Sequence, residues 1–306
     1  MRIASLLASA TETLCALGLE EHLVAISHEC DYPPRVLDRP RVSRPRFDPA
    51  GQSSAAIDAA VRRTMREHGS VYVVDHERLR ALKPDLLFAQ AVCQVCAVPT
   101  SLAAGAARLV GDAVKVVSVD AHTVDEIFES MLTVGRAAGA EAAAERLVEA
   151  LKARLAAVAQ AVAAADRPRV LAIEWLDPPF VPGHWVPEMI ERAGGRCVAG
   201  LAGRPSRETT WEALAALDPD VLVVMPCGFD LDRSRAEAGQ YRRELARVAE
   251  RALRSGRAFV VDGSAYFNRS GPRTVDGVEI LARLLHPERL PEVDLRGRAE
   301  PLGLVL

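Results

Sequence analysis

"HERLRALKPDLLFAQAVC" at residues 76–93 and "WEALAALDPDVLVVMPCG" at residues 211–228 share one pattern, E-x-L-x-A-L-x-P-D-x-L. Each reads as a short helix, a tight Pro-Asp turn, an apolar strand buried on both faces and a cysteine where the strand ends. The same α/β unit thus occurs once in each half of the chain. That repetition predicts two similar sheets rather than one large one.

Working outward, apolar runs alternate with helical patterns on both sides of each copy. The first half holds "RIASLL", "HLVAIS", "VYVV", "DLLFAQ" and "VKVVSV", and the second holds "RVLAIEWL", "DVLVVMP" and "AFVVDG". Strand-helix alternation implies parallel sheets with helices on both faces. Between the halves lie "TVDEIFESMLTVGRAAG" and the Ala-rich residues 140–166, which contain neither Pro nor Gly and predict a helix roughly 40 Å long. The expected architecture is α/β: two Rossmann-like lobes with central, mostly parallel sheets, bridged by one long helix, with a cleft between them. The expected divisions are an N-terminal lobe at 1–122, a helical connector at 123–166 and a C-terminal lobe at 167–306.

The 306 residues are 49% hydrophobic, with 38 Lys and Arg against 41 Asp and Glu, so no basic excess points to nucleic acid. No apolar run approaches the roughly 20 residues that span a bilayer, which predicts no membrane insertion. Ser, Thr and Glu12 interrupt the apolar start before a secretory core can form. The start therefore reads as a strand running into a helix, and the chain as cytoplasmic. Six unevenly spaced cysteines do not form a secreted disulfide framework and read as thiols or metal ligands.

Ligands of open parallel sheets bind beyond the carboxyl ends of the strands. Residues following strands are therefore the candidates. "HLVAIS" runs into "HECDYPP", with His28, Glu29, Cys30, Asp31 and Tyr32, and "DLLFAQ" runs into the CxxC of Cys93 and Cys96. In an extended loop His28, Cys30 and Tyr32 would point one way and Glu29 and Asp31 the other. A zinc or iron site at His28, Cys30, Cys93 and Cys96 is one expectation, with semi-buried packing thiols and a redox CxxC as alternatives. "RVLAIEWL" leads to Asp177, Phe180, His184 and Trp185, "DVLVVMP" to Cys227 and Phe229, and "AFVVDG" to Ser264, Tyr266, Phe267 and Asn268. His28, Tyr32, Phe180, His184, Trp185, Phe229, Tyr266 and Phe267 suit stacking on a flat ligand or ligation of its metal. Cys15 and Cys197 read as core, and His22, His68, His76, His122 and His286 as solvated.

Several segments together resemble the class III periplasmic binding proteins, the cobalamin and ferric-siderophore binding family. They are "RIASLLASATETLCALGLEEHLVAIS", the repeated approach to the strand, the long linking helix and "VPEMIERAGG". The similarity runs from Arg2 to about Leu285. "HECDYPP", "CQVCAV", "EWLDPPFVPGHWVPEM" and "YFNRSGPR" are similar to a subgroup of cobalamin-binding proteins without an export signal. The resemblance implies two lobes joined by a rigid helix, holding one ligand with little hinge motion. Cobalamin or another corrinoid is the implied ligand of a cytoplasmic binder. The alternative is a zinc- or iron-dependent enzyme using the Cys/His cluster, with Glu29, Asp31 or His184 as acid or base. Glu20, Glu21 and Glu191 are surface acids suited to docking a protein partner.

Overall fold

A computed structural model describes residues 1–90, 98–110 and 114–303. Four parallel strands form the N-terminal sheet in the order Leu23–Ile26, Ile3–Ser5, Leu86–Ala89 and Lys115–Ser118. The C-terminal sheet runs Arg196–Cys197, Arg169–Ile173, Val221–Val224, Ala258–Val261 and Ala299–Pro301, parallel except for the last. The two copies of the repeated pattern supply Leu86–Ala89 and Val221–Val224, both interior strands of their sheets. Every residue of those two strands is buried, as a strand covered on both faces requires.

"VYVV" behaves differently from the other apolar runs. Tyr72–Val74 pairs antiparallel with Ser43–Pro45 in a separate two-stranded ribbon. Another small antiparallel sheet, Arg207–Glu208, Pro179–Val181 and Trp175–Leu176, grows from the exit of the first C-terminal strand. A three-residue strand does not reveal its neighbour's direction, so alternation alone misassigns such ribbons to the main sheet.

The connector is a helical pair, Val124–Ala137 and Glu141–Val162. The second helix is about 33 Å long at 1.5 Å per residue, shorter than expected because it ends at Val162. Ala144, Val148, Leu151, Leu155, Val158 and Val162 form its buried stripe, at spacings of three and four. From Val148 onward that stripe packs into the C-terminal core with Val170, Ile190 and Leu281. Arg154 on the same helix reaches Glu279 at 2.6 Å and also pairs with Asp276.

Helix Val124–Ala137 serves both lobes. Its Ile127, Phe128 and Met131 belong to the C-terminal core, whereas its Val134 packs with Ile3, Leu14 and Phe88 of the N-terminal lobe. Gly135 lets the two connector helices touch, since a Cβ there would overlap the Ala144 methyl and crowd the Ala140 carbonyl. Gly135→Ala is expected to lower stability by about 1–3 kcal/mol through overpacking. Gly239, on the exposed side of helix Leu231–Gln240 with open space around it, gives the opposite sign: Gly239→Ala should add about 0.4–1 kcal/mol. Urea unfolding midpoints of the two variants, moving in opposite directions, check the packing argument.

Candidate functional site

The carboxyl ends of both sheets face a shared seam. There a cavity of about 200 Å³ is bordered by His28, Glu29 and Asp31 from the N-terminal lobe. Gly228, Asp230, Asp262, Ser264, Ala265 and Arg269 close it from the C-terminal lobe. All follow strands, as the topological rule requires. A wider hollow at Asp218, Arg251 and Ser255 lies on the C-terminal lobe alone, at the amino ends of its strands.

Glu12 organises one side of the seam. Helix Ala8–Ala16 is buried through Cys15, and Glu12 with it, its side chain 2% exposed. Arg273 grips the carboxylate as a fork, with Nε donating to Oε2 at 2.9 Å and a terminal nitrogen to Oε1 at 2.6 Å. Arg269 approaches Glu12 Oε1 at 3.4 Å and donates to both oxygens of Asp31, the longer bond being 2.8 Å. It also donates to the Glu29 carbonyl and to Ser264 Oγ, each at 3.2 Å. Burial opposes the charge on Asp31, but the hydrogen bonds and charge of Arg269 win and hold its carboxyl below the usual range. Glu29 is likewise held low: burial is outweighed by His28 together with Arg269.

"HECDYPP" is folded differently from an extended loop. The Cys30 amide donates back to the Ser27 carbonyl, forming a turn, so the two-residue alternation does not apply. Cys30 is fully buried, its Sγ 3.0 Å from Thr11 Oγ1 and 3.3 Å from Ser27 Oγ. Burial pushes its thiol up despite those hydroxyls, which keeps it protonated and a poor soft-metal ligand at neutral pH. His28 lines the cavity, with Nδ1 2.8 Å from Ser43 Oγ and Nε2 3.3 Å from Glu29 Oε1. Cys93 and Cys96 lie outside the described residues. Among the described residues no three His, Cys, Asp or Glu side chains are placed to hold a metal ion.

The aromatic candidates fall into two layers. Tyr32 is 44% exposed beneath the Arg273 guanidinium, 4.2 Å from its ring centre, and Tyr266 lies between Arg273 and Arg298. Phe180 is half-buried on its strand, opposite Trp175. Behind them Phe229 and Phe267 are buried, and Trp185 is buried too, its indole N–H donating to the Phe267 carbonyl at 2.8 Å. Trp175 meets Phe229 edge-on, and Arg233 stacks on Phe229 at 3.8 Å while donating to the Pro49 and Gln52 carbonyls of the other lobe.

His184 meets a partner that strand-exit reasoning passed over. Its Nδ1 is 3.1 Å from Nδ1 of His122, which follows the strand Lys115–Ser118 and comes from the opposite lobe. His184 has φ of 48°, a left-handed backbone fixed by its amide's bond to the Arg204 carbonyl. His122, expected to be solvated, is thus a seam residue, and His286 is buried, 3.3 Å from the Gly194 carbonyl. Glu12, Asp230, Asp262, Arg269 and Arg273 were also missed. A glutamate inside an otherwise buried helix was the available sign, since it demands a cation. Of the surface acids, Glu20 pairs with Arg35, Glu191 with Arg167 and the largely exposed Glu21 with Arg39 at 3.5 Å.

Known proteins are similar to this chain. The family model described as "Periplasmic binding protein" matches residues 3–264. An uncharacterized ABC transporter substrate-binding lipoprotein of Bacillus subtilis is 26% identical over 95% of this chain and 82% of its own. A cobalamin-binding protein of Halobacterium salinarum is 26% identical over 93% of this chain and 69% of its own. Among solved structures, a periplasmic heme-binding protein of Pseudomonas aeruginosa superposes with a TM-score of 0.71 at 23% identity, covering 94% and 93% of the two chains. Named as a lipoprotein and as a periplasmic protein, these relatives overturn the cytoplasmic expectation. That expectation rested on the opening residues, which are strand Ile3–Ser5 and helix Ala8–Ala16 because the fold needs them there.

Two outcomes follow from the seam. Glu12→Gln leaves two buried guanidinium groups short of a counter-charge and should cost about 3–5 kcal/mol in chemical unfolding. The second concerns pH. Burial, and behind it the charge of His122, holds His184 below the usual imidazole range. The folded chain then binds fewer protons at this residue than the unfolded chain does. Its stabilisation is complete above the unfolded value of about 6.5 and is lost as pH falls through the lowered one. His184→Asn, which tolerates the left-handed backbone, should therefore flatten the acid side of the melting curve. Parallel Tm profiles for the two proteins below about pH 6.5 would contradict this.

Proposed function

Because this chain belongs to the periplasmic binding protein family, we propose that it is a substrate-binding protein holding a cobalamin or related corrinoid in the cleft between its two lobes. The observation that carries this reading is the seam itself. Strand exits from both sheets border one cavity, and side chains from both lobes line it. The name of the Halobacterium relative supports the corrinoid assignment.

The binding surface we assign has two depths. Tyr32, Phe180 and Tyr266 offer partly exposed ring surface for a flat macrocycle, and His28 and His184 supply imidazole nitrogens near it. Phe229, Trp185 and Phe267 stand behind them as rigid backing. The lobes at 1–122 and 167–306 act as the two jaws, and the connector at 123–166 as the spine. A cavity of about 200 Å³ is below the roughly 300–1,000 Å³ of small-molecule sites. A macrocycle therefore enters from the cleft mouth and parts contacts such as Arg233 to Pro49 and Gln52 rather than filling the closed cavity. Delivery to a membrane permease, as the name of the Bacillus relative implies, makes such a permease the partner.

Titration with cyanocobalamin and aquacobalamin, followed by the corrin absorption bands and by co-elution in gel filtration, tests the assignment. A saturable shift at one ligand per chain in the micromolar range is expected. Failure of every cobalamin form to co-elute or shift overturns it.

A further inference from the structure

The cavity wall is acidic, and its acidity arises in an unusual way. In parallel α/β lobes the helix N-termini that follow the strands present free N–H groups and the positive end of the helix dipole, which favours anions. Here the two such termini whose caps border the cavity are already filled by the chain's own carboxylates. Asp230 Oδ1 accepts from the Arg233 amide at 2.9 Å, and Asp262 Oδ1 accepts from the Ala265 amide at 2.7 Å. The second oxygen of each makes no hydrogen bond to any described residue, and both aspartates border the cavity. Gly263 holds this second cap close to the neighbouring strand exit, since a Cβ there would overlap the Pro226 carbonyl.

Glu29 and Asp31 add two carboxylates from the opposite lobe. The cation on the wall is Arg269, and it is already committed to Asp31 and Glu12. Arg273, behind it, is committed to Glu12. Among the described residues that border the cavity no arginine or lysine is left without a carboxylate partner, whereas several oxygens can accept hydrogen bonds; Arg233 lies outside that border, stacked on Phe229. His28 also lines this cavity, and its Nε2 is buried 3.3 Å from Glu29 Oε1.

Building on the cleft assignment above, we infer that this protein selects macrocycles whose rim carries amides or other neutral hydrogen-bond donors and rejects those whose rim carries carboxylates. An amide N–H finds acceptors on Glu29, Asp230 and Asp262. A propionate meets like charges in a site partly shielded from water, where such contacts are costly.

The test uses three probes against the full chain: dicyanocobinamide, whose corrin side chains are amides; dicyanocobyrinic acid, the same ring with those side chains as carboxylates; and haemin, a porphyrin with two propionates. Affinities are read from absorbance titrations at neutral pH for the wild type and for a Glu29→Gln, Asp230→Asn, Asp262→Asn variant. Asn preserves both helix caps, and circular dichroism verifies the fold. The expected result is about tenfold or greater preference of the wild type for the amide corrin over its carboxylate form. That ratio should fall toward one in the variant, mainly through tighter binding of the acid. Equal affinity of the wild type for both corrins, or an unchanged ratio in the variant, overturns the charge selection and leaves the corrinoid assignment standing. Tight binding of haemin with no corrin bound overturns the selection and redirects the cleft to a porphyrin. Binding of none of the three overturns both.

Discussion

One buried carboxylate dictates how the halves of this molecule meet. Glu12 lies in a helix with no exposed face, and an unpaired charge in that position would cost several kcal/mol. Its counter-charges come from Arg269 and Arg273, near the far end of the chain. The lobes must therefore approach closely enough, and in one register, for two guanidinium groups to reach it. Once they do, the second side of Arg269 is aimed at Asp31, the Glu29 carbonyl and Ser264, which fixes the cavity wall. A buried ion cluster of this kind is a weak source of net stability, because its desolvation offsets much of its attraction. Its contribution is geometric: it makes every other docking of the two lobes expensive.

The seam shows how one residue type can serve structure and recognition together. Asp230 and Asp262 are helix caps in the ordinary sense, each satisfying an N–H that the first turn cannot. Because the helices start where the strands stop, those caps are also the floor of the cleft. A helix N-terminus capped by serine would leave the site positive. Capped by aspartate it becomes negative, with no change in backbone.

The architecture was legible in the primary structure because it rests on periodicity and repetition. The repeated Pro-Asp approach located an interior strand of each sheet, and the uninterrupted Ala-rich stretch located the bridge. Short elements escaped, as with Tyr72–Val74, since a few β-branched residues look alike in a ribbon and in a parallel sheet. At the site, position relative to strands located His28, Glu29, Asp31 and Ser264, but orientation was lost wherever the chain turned. Cys30 has the chemistry of a ligand and the surroundings of a core residue, a difference that only the turn at Ser27 determines. Glu12 and His122 were overlooked for the opposite reason. Their meaning lies in partners, Arg273 and His184, that no local window contains.

Helix Val124–Ala137, with Val134 in one core and Phe128 in the other, has a consequence for the order of synthesis. It leaves the ribosome after the N-terminal strands and before every strand of the C-terminal sheet. Val134 can dock at once, while Ile127, Phe128 and Met131 must wait until residues as distant as Leu285 have been translated. The nascent N-terminal lobe is thus complete yet carries an uncovered apolar stripe whose proper cover is the remainder of its own polypeptide. Translation speed across the second half sets how long that stripe is open to a wrong partner.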